Sequence, residues 1–152
     1  MSSEANLWKW LRDGMGSRWH AQRHEDKYSS GIPDVSYAID GADGWLELKY
    51  LPAWPKRQET PVKIGLSEIQ RHWLTCRGRA GAGRCFVLAK IGRGDVLLFR
   101  WDALPLLGDL RAGCPRFILT SGADRHWAGT EVGRPIFFDS LAYALRQTGK
   151  KP

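Results

Sequence analysis

Gly31-Ile32-Pro33-Asp34-Val35-Ser36-Tyr37-Ala38-Ile39 runs through Asp40-Gly41-Ala42-Asp43-Gly44 into Trp45-Leu46-Glu47-Leu48-Lys49-Tyr50-Leu51. Residues 33–39 and 45–51 alternate apolar and other side chains, the period of a half-buried strand. The Gly/Asp-rich stretch between them makes the pair a hairpin. Alternation places Val35, Tyr37 and Ile39 with Leu46, Leu48 and Tyr50 on one apolar face. The other face carries Asp34, Ser36 and Ala38 beside Trp45, Glu47 and Lys49. With the loop centred on Gly41-Ala42, Asp34 lies opposite Lys49 and diagonal to Glu47, within cross-strand reach.

Two carboxylates and a lysine on one face of a hairpin have a specific chemical use. Phosphodiester cleavage needs an attacking water and a stabilised charge on the phosphorus oxygens and the leaving group. A divalent ion supplies both, and hard carboxylates hold such an ion. Asp34 and Glu47 would repel each other without a cation between them. Lys49 is placed to orient or help deprotonate the water, or to neutralise charge on the phosphate. Glu25 is the first choice for a third acid, with Asp26 as runner-up. Each piece alone is ordinary: Glu-x-Lys is a common surface pair and Pro-Asp a common turn. It is their convergence on one face, backed by an apolar face, that carries the reading.

The rest of the chain is consistent with one compact domain. Its 152 residues, 43% of them hydrophobic, suit a globular core, and a formal net charge of +7 favours a polyanionic partner such as nucleic acid. Three cysteines, none in Cys-x-x-Cys spacing, argue against a disulfide framework or a structural zinc site and fit a reduced cytoplasm. No apolar run is long enough to span a membrane, and the N-terminus does not read as a secretion signal. Eight tryptophans are many for this length; each is core, a dimer contact or a surface for stacking on bases.

Leu7, Trp8, Leu11 and Met15 mark a helix over 5–15, ended by Gly14 and Gly16. Residues 18–25 read as extended, and Ser29-Ser30-Gly31 as a turn. The Pro- and charge-rich segment 52–64 is a connector. Ser67 and Gln70 have the spacing of a capping box, opening a helix that runs to about Arg77. A basic Arg/Gly loop is expected over 77–84, and a second hairpin over 85–91 and 95–100 around Gly92-Arg93-Gly94. A short helix is expected over 102–110, edge strands over 116–120 and 135–138, a helix over 139–147 and a frayed tail from Gly149 to Pro152. Arg77, Arg79 and Arg84 serve either as a simple connector or as a clamp on phosphates. Lys56, Arg57 and Lys63 line a duplex channel or belong to a solvated loop. His20, His24, His72 and His126 lack metal-ligand spacing, although His24 precedes Glu25.

The string Arg23-His24-Glu25, then Gly31-Ile32-Pro33-Asp34-Val35, then Gly44-Trp45-Leu46-Glu47-Leu48-Lys49-Tyr50 resembles the PD-(D/E)XK nuclease superfamily, and within it the VRR-NUC type and related small phage or prophage nucleases. The helix Leu66-Ser67-Glu68-Ile69-Gln70-Arg71-His72-Trp73-Leu74 adds to the likeness, which covers about residues 20–90. The resemblance implies a restriction-endonuclease-like α/β core with a central mixed sheet flanked by helices. It implies Mg²⁺ or Mn²⁺ held by Asp34, Glu47 and the Leu48 carbonyl, with Glu25 as a further acid, Lys49 as the catalytic lysine and Gln70 facing the site. It also implies a homodimer acting on branched DNA as a Holliday-junction resolvase does, in a bacterial or phage-infected cell. Loops 52–64 and 77–84 have no fixed counterpart in that motif. The competing readings are a non-catalytic DNA-binding or assembly module on the same scaffold, and an enzyme on a different substrate such as flapped or nicked DNA, or RNA.

Overall fold

A computed structural model of the chain describes residues 3–25, 31–107 and 112–148. Its centre is a six-stranded sheet in the order β1 (His20–Arg23), β2 (Val35–Ile39), β3 (Ala42–Leu51), β4 (Cys85–Ile91), β5 (Asp95–Arg100) and β6 (Arg125–Ala128). Neighbouring strands are antiparallel except β3 and β4, which run parallel. A parallel pair needs a long crossover, and helix α2 (Glu68–Ala80) supplies it. The expected mixed sheet flanked by helices is therefore present.

Two apolar layers cover the sheet. Against one face pack α1 (Glu4–Met15), through Leu7, Leu11 and Met15, and α4 (Pro135–Leu145), through Phe137, Phe138, Leu141 and Leu145. Against the other lie Leu74 of α2, Leu104 and Leu107 of the 3₁₀ segment Trp101–Leu107, and Leu119 of α3 (Arg116–Gly122). Every residue of β4 is buried, as befits a strand covered on both faces. The Tyr37 hydroxyl donates to the Leu145 carbonyl at 2.7 Å, fastening the end of α4 to the first hairpin.

The first hairpin turns more tightly than the sequence predicts. Asp40 and Gly41 take positive φ of 48° and 79°, the signature of a two-residue turn, and β3 starts at Ala42. Val35 therefore pairs with Leu46, a register two residues away from the expected one. A shift by an even number keeps every side chain on its face. Val35, Tyr37, Ile39, Leu46 and Leu48 are buried together as expected, while Asp34 comes level with Glu47 instead of Lys49.

Three further expectations are corrected. Helix α2 continues to Ala80, so Arg77 and Arg79 belong to its last turn and only 81–84 form a loop. Gly78 is tolerated in that helix because the Trp101 ring fills the place of a side chain. The stretches expected as edge strands, 116–120 and 135–138, are helical. Pro135 opens α4 at a position where its missing N–H costs nothing, and burial of Phe137, Phe138, Leu141 and Leu145 follows helical spacing. The edge strands are β1 and β6. The helix expected over 102–110 is 3₁₀ up to Leu107. Asp26, Ser29, Ser30 and the tail from Gly149 lie outside the described residues. Cys76, Cys85 and Cys114 are free thiols. Among the described residues no helix is long and apolar enough to cross a membrane.

Candidate active site

Three segments meet where β2 begins, β3 crosses mid-sheet and α2 starts. Buried Pro33 leads into Asp34, and the Asp34 carbonyl accepts from the His24 amide at 2.7 Å, extending the β1–β2 ladder past its formal end. Asp34 Oδ2 accepts from the Leu48 amide at 2.8 Å, and Glu47 Oε2 accepts from the Asp34 amide at 3.3 Å. Each carboxylate thus takes a backbone donor from the other's strand, and the two acids are held face to face.

Lys49 and Gln70 close the cluster. Lys49 Nζ lies 3.3 Å from Glu47 Oε1 and donates to Gln70 Oε1 at 3.1 Å. Gln70 Nε2 donates to Glu47 Oε1 at 2.7 Å. The same Gln70 oxygen accepts from the Ser67 amide at 3.0 Å, and Ser67 Oγ accepts from the Gln70 amide at 3.2 Å. That reciprocal capping box fixes where α2 begins and, in the same bonds, where the Gln70 side chain points.

Glu47 and Lys49 are almost wholly removed from solvent, at 2% and 7% exposure. Burial is the main cause that pushes the Glu47 carboxyl up to about 7; the Asp34 charge adds to it and Lys49 opposes it. A carboxylate so desolvated and so close to a second acid is short of positive charge. Two hard oxygen donors facing each other suit a hard divalent cation, which typically keeps several waters and needs only one or two protein carboxylates.

The remaining residues that the sequence singles out lie around this cluster. Glu25 is exposed, with its carboxylate 3.8 Å from Arg23 Nε, and among the described residues no third acid, His or Cys joins a metal-holding group with the pair. His24 bonds Ser36 Oγ through Nε2 at 2.7 Å and lies against the Trp45 ring. Arg77 sits over Trp45 and Trp73. Arg84 donates from Nε to the Asp43 carbonyl at 2.7 Å and shares a cleft with Arg77 and Trp45. Arg79, Lys56 and Arg57 are exposed. What sequence reasoning missed is the cluster of His24, Trp45, Trp73 and Arg77 beside the acids. Strand alternation, which puts Trp45 on the face of Glu47, was the available signal.

No family model and no curated protein matches the chain. Among solved structures the chain is similar to Hjc, a Holliday junction resolvase from Archaeoglobus fulgidus, with a TM-score of 0.49 and 18% identity over 86% of this chain and 93% of that one. A likeness this distant leaves the activity to be argued from the site itself.

Proposed function

We propose that the protein is a Mg²⁺- or Mn²⁺-dependent endonuclease that hydrolyses phosphodiester bonds in branched DNA. The observation that carries this is the buried Glu47, set against Asp34 and tied to Lys49 and Gln70 in one hydrogen-bond cluster. A purely structural role would not require two converging acids and a desolvated carboxyl, since a buried ion pair contributes little net stability. Asp34, Glu47 and the Leu48 carbonyl are the oxygens that would hold the metal. When bound, such an ion polarises the phosphate and acidifies a water.

The chain's own groups do the remaining work. Lys49, held by Glu47 and Gln70, is aimed at the acid pair, where it orients the nucleophile or neutralises charge on the phosphate. Gln70 keeps Glu47 and Lys49 in register with each other. The resemblance to VRR-NUC nucleases supports branched or Holliday-junction DNA as substrate, and a homodimer, whose two-fold axis would present two sites to a symmetric junction. The net charge of +7 suits that polyanion.

The test is cleavage of a labelled four-way junction beside a matched linear duplex, in Mg²⁺, Mn²⁺ and EDTA, with wild type and Glu47→Ala. Metal-dependent cutting that Glu47→Ala abolishes is the expected result. Cutting of every substrate alike would keep the nuclease and remove its selectivity for branches. Tight binding without cutting in any metal would make the protein a non-catalytic DNA-binding module.

A further inference from the structure

Two residues before Glu47 on β3, and on the same face of the strand, the half-buried Trp45 is packed on three sides. The Trp73 ring of α2 meets it edge-on, with centroids 5.0 Å apart at 65°. The His24 imidazole lies 5.3 Å away at 34°. The Arg77 guanidinium stands 5.5 Å from the Trp45 ring centre and 5.8 Å from that of Trp73. The Trp45 amide donates to the Arg84 carbonyl at 2.9 Å, so the backbone beneath the ring is fixed as well.

Beside this cluster the sheet forms a shelf. Gln22 pairs with Ser36 and Ser36 with Trp45 across three strands, and His20, Ala38 and Asp43 form the next row. These residues line an open cleft of about 360 Å³ that Trp45 and Arg77 wall on one side. A second cleft, of about 170 Å³, adjoins it through Trp45, Arg77 and Arg84. An indole braced by its neighbours, a guanidinium, and a rim of amide, hydroxyl and imidazole groups have the chemistry of a nucleobase platform. Stacking uses the π-face, the cation adds to it, and the rim offers donors and acceptors to a base edge.

The position restricts which base can use it. Same-face neighbours on a strand are about 7 Å apart, so a base on Trp45 belongs to a nucleotide adjoining the phosphate at Glu47. A base within a duplex is already stacked and paired and cannot offer its face to an indole. We propose that Trp45, braced by Trp73, His24 and Arg77, stacks an unpaired nucleobase next to the scissile phosphate. The preferred substrate is then a fork or flap with an unpaired nucleotide at the cut, ahead of a fully paired four-way junction. This inference rests on the proposed nuclease activity and specifies its substrate.

The experiment uses the full chain and a forked duplex carrying 2-aminopurine at the unpaired nucleotide of the branch. Binding is followed in EDTA by fluorescence quenching, and cutting of the same DNA in Mg²⁺. Wild type quenches the probe and cuts the fork in preference to a paired junction. Trp45→Leu loses the quenching and about tenfold in affinity, and Trp45→Phe keeps both. An abasic site in place of the probe weakens wild type by the same factor and leaves Trp45→Leu unaffected, a coupling that simple loss of stability would not produce. Wild-type quenching by Trp45→Leu, or an abasic fork bound as tightly as the intact one, overturns the stacking role while Glu47-dependent cutting still stands. Failure of the wild type to bind or cut any DNA overturns the nuclease activity and this inference with it.

Discussion

Gln70 Nε2 donates to Glu47 Oε1 at 2.7 Å from the first turn of a helix that the Gln70 carbonyl oxygen itself caps, by accepting from the Ser67 amide at 3.0 Å. One side chain thus sets both the start of α2 and the orientation of a buried acid. Gln70→Ala removes half of the capping box and leaves Lys49 and Glu47 short of a partner, so it lowers stability by about 1 kcal/mol and slows cleavage. Gln70→Glu preserves the cap, because Glu serves as well as Gln at that position, but places an anion against Glu47. Its melting temperature in EDTA should fall below that of wild type and recover most of the difference in Mg²⁺. Thermal denaturation of the three proteins with and without metal checks this; equal metal responses would separate Gln70 from the site.

The Glu47 carboxyl gives stability a defined pH dependence. Burial and the Asp34 charge raise it from its ordinary 4.5 to about 7. Between those values the folded chain holds a proton that the unfolded chain has lost, so stability falls as pH rises through this window. Below it the carboxyl is protonated in both states and carries no penalty. Above it the penalty is complete. In EDTA the melting temperature should drop between pH 5 and pH 8, and Glu47→Gln should flatten the drop. Mg²⁺ should raise the melting temperature more at pH 8 than at pH 5, since the ion replaces the proton. Parallel curves for wild type and Glu47→Gln would contradict this account.

Lys49 lies 3.3 Å from Glu47 Oε1 and acts to lower the Glu47 pKa. Lys49→Ala should therefore do two things. It removes the cation nearest the developing charge, slowing single-turnover cleavage by about 10²–10⁴-fold. It also leaves Glu47 more easily protonated, so the metal concentration needed for half-maximal activity rises at neutral pH and recovers as pH increases. A rate loss with an unchanged metal requirement at every pH would limit Lys49 to the first effect.

The hairpin face was legible in the sequence because strand period is robust. Alternation put Asp34, Glu47 and Lys49 on one side before any register was known, and the observed two-residue shift could not change that. The capping-box spacing of Ser67 and Gln70 marked the start of α2, while the place of Gln70 at the site was implied by the family resemblance alone. The C-terminal third was not. Phe117-Ile118-Leu119 and Ile136-Phe137-Phe138 are short apolar runs, whose period does not distinguish a strand from a helix. Tertiary packing decided for helix, leaving Phe117 at 65% and Ile136 at 67% exposure while burying Leu119, Phe137 and Phe138. The position of Glu25 was likewise open, because its side chain comes after a strand end that no period constrains.

Gly78 is a local signal that misleads. A glycine between Arg77 and Arg79 reads as a helix stop, yet α2 passes through it to Ala80. In a free helix Gly→Ala would stabilise by about 0.5–1 kcal/mol. Here an added Cβ would lie 2.4 Å from Cδ1 and Nε1 of Trp101, inside a ring that cannot fold away as a flexible chain could. Overpacking of this kind costs about 1–3 kcal/mol, so Gly78→Ala should destabilise the protein by roughly 1–2 kcal/mol net. Displacing Trp101 would also disturb the junction between α2 and the loop 81–84, since the same indole lies 3.6 Å from the Cβ position of Gly83. Paired denaturant titrations test this: Gly78→Ala should lower the midpoint, and Trp101→Leu in the same background, which vacates the space, should restore part of it. A Gly78→Ala protein as stable as wild type would mean that the Trp101 ring moves aside at no cost, and that the glycine is there for a reason other than this contact.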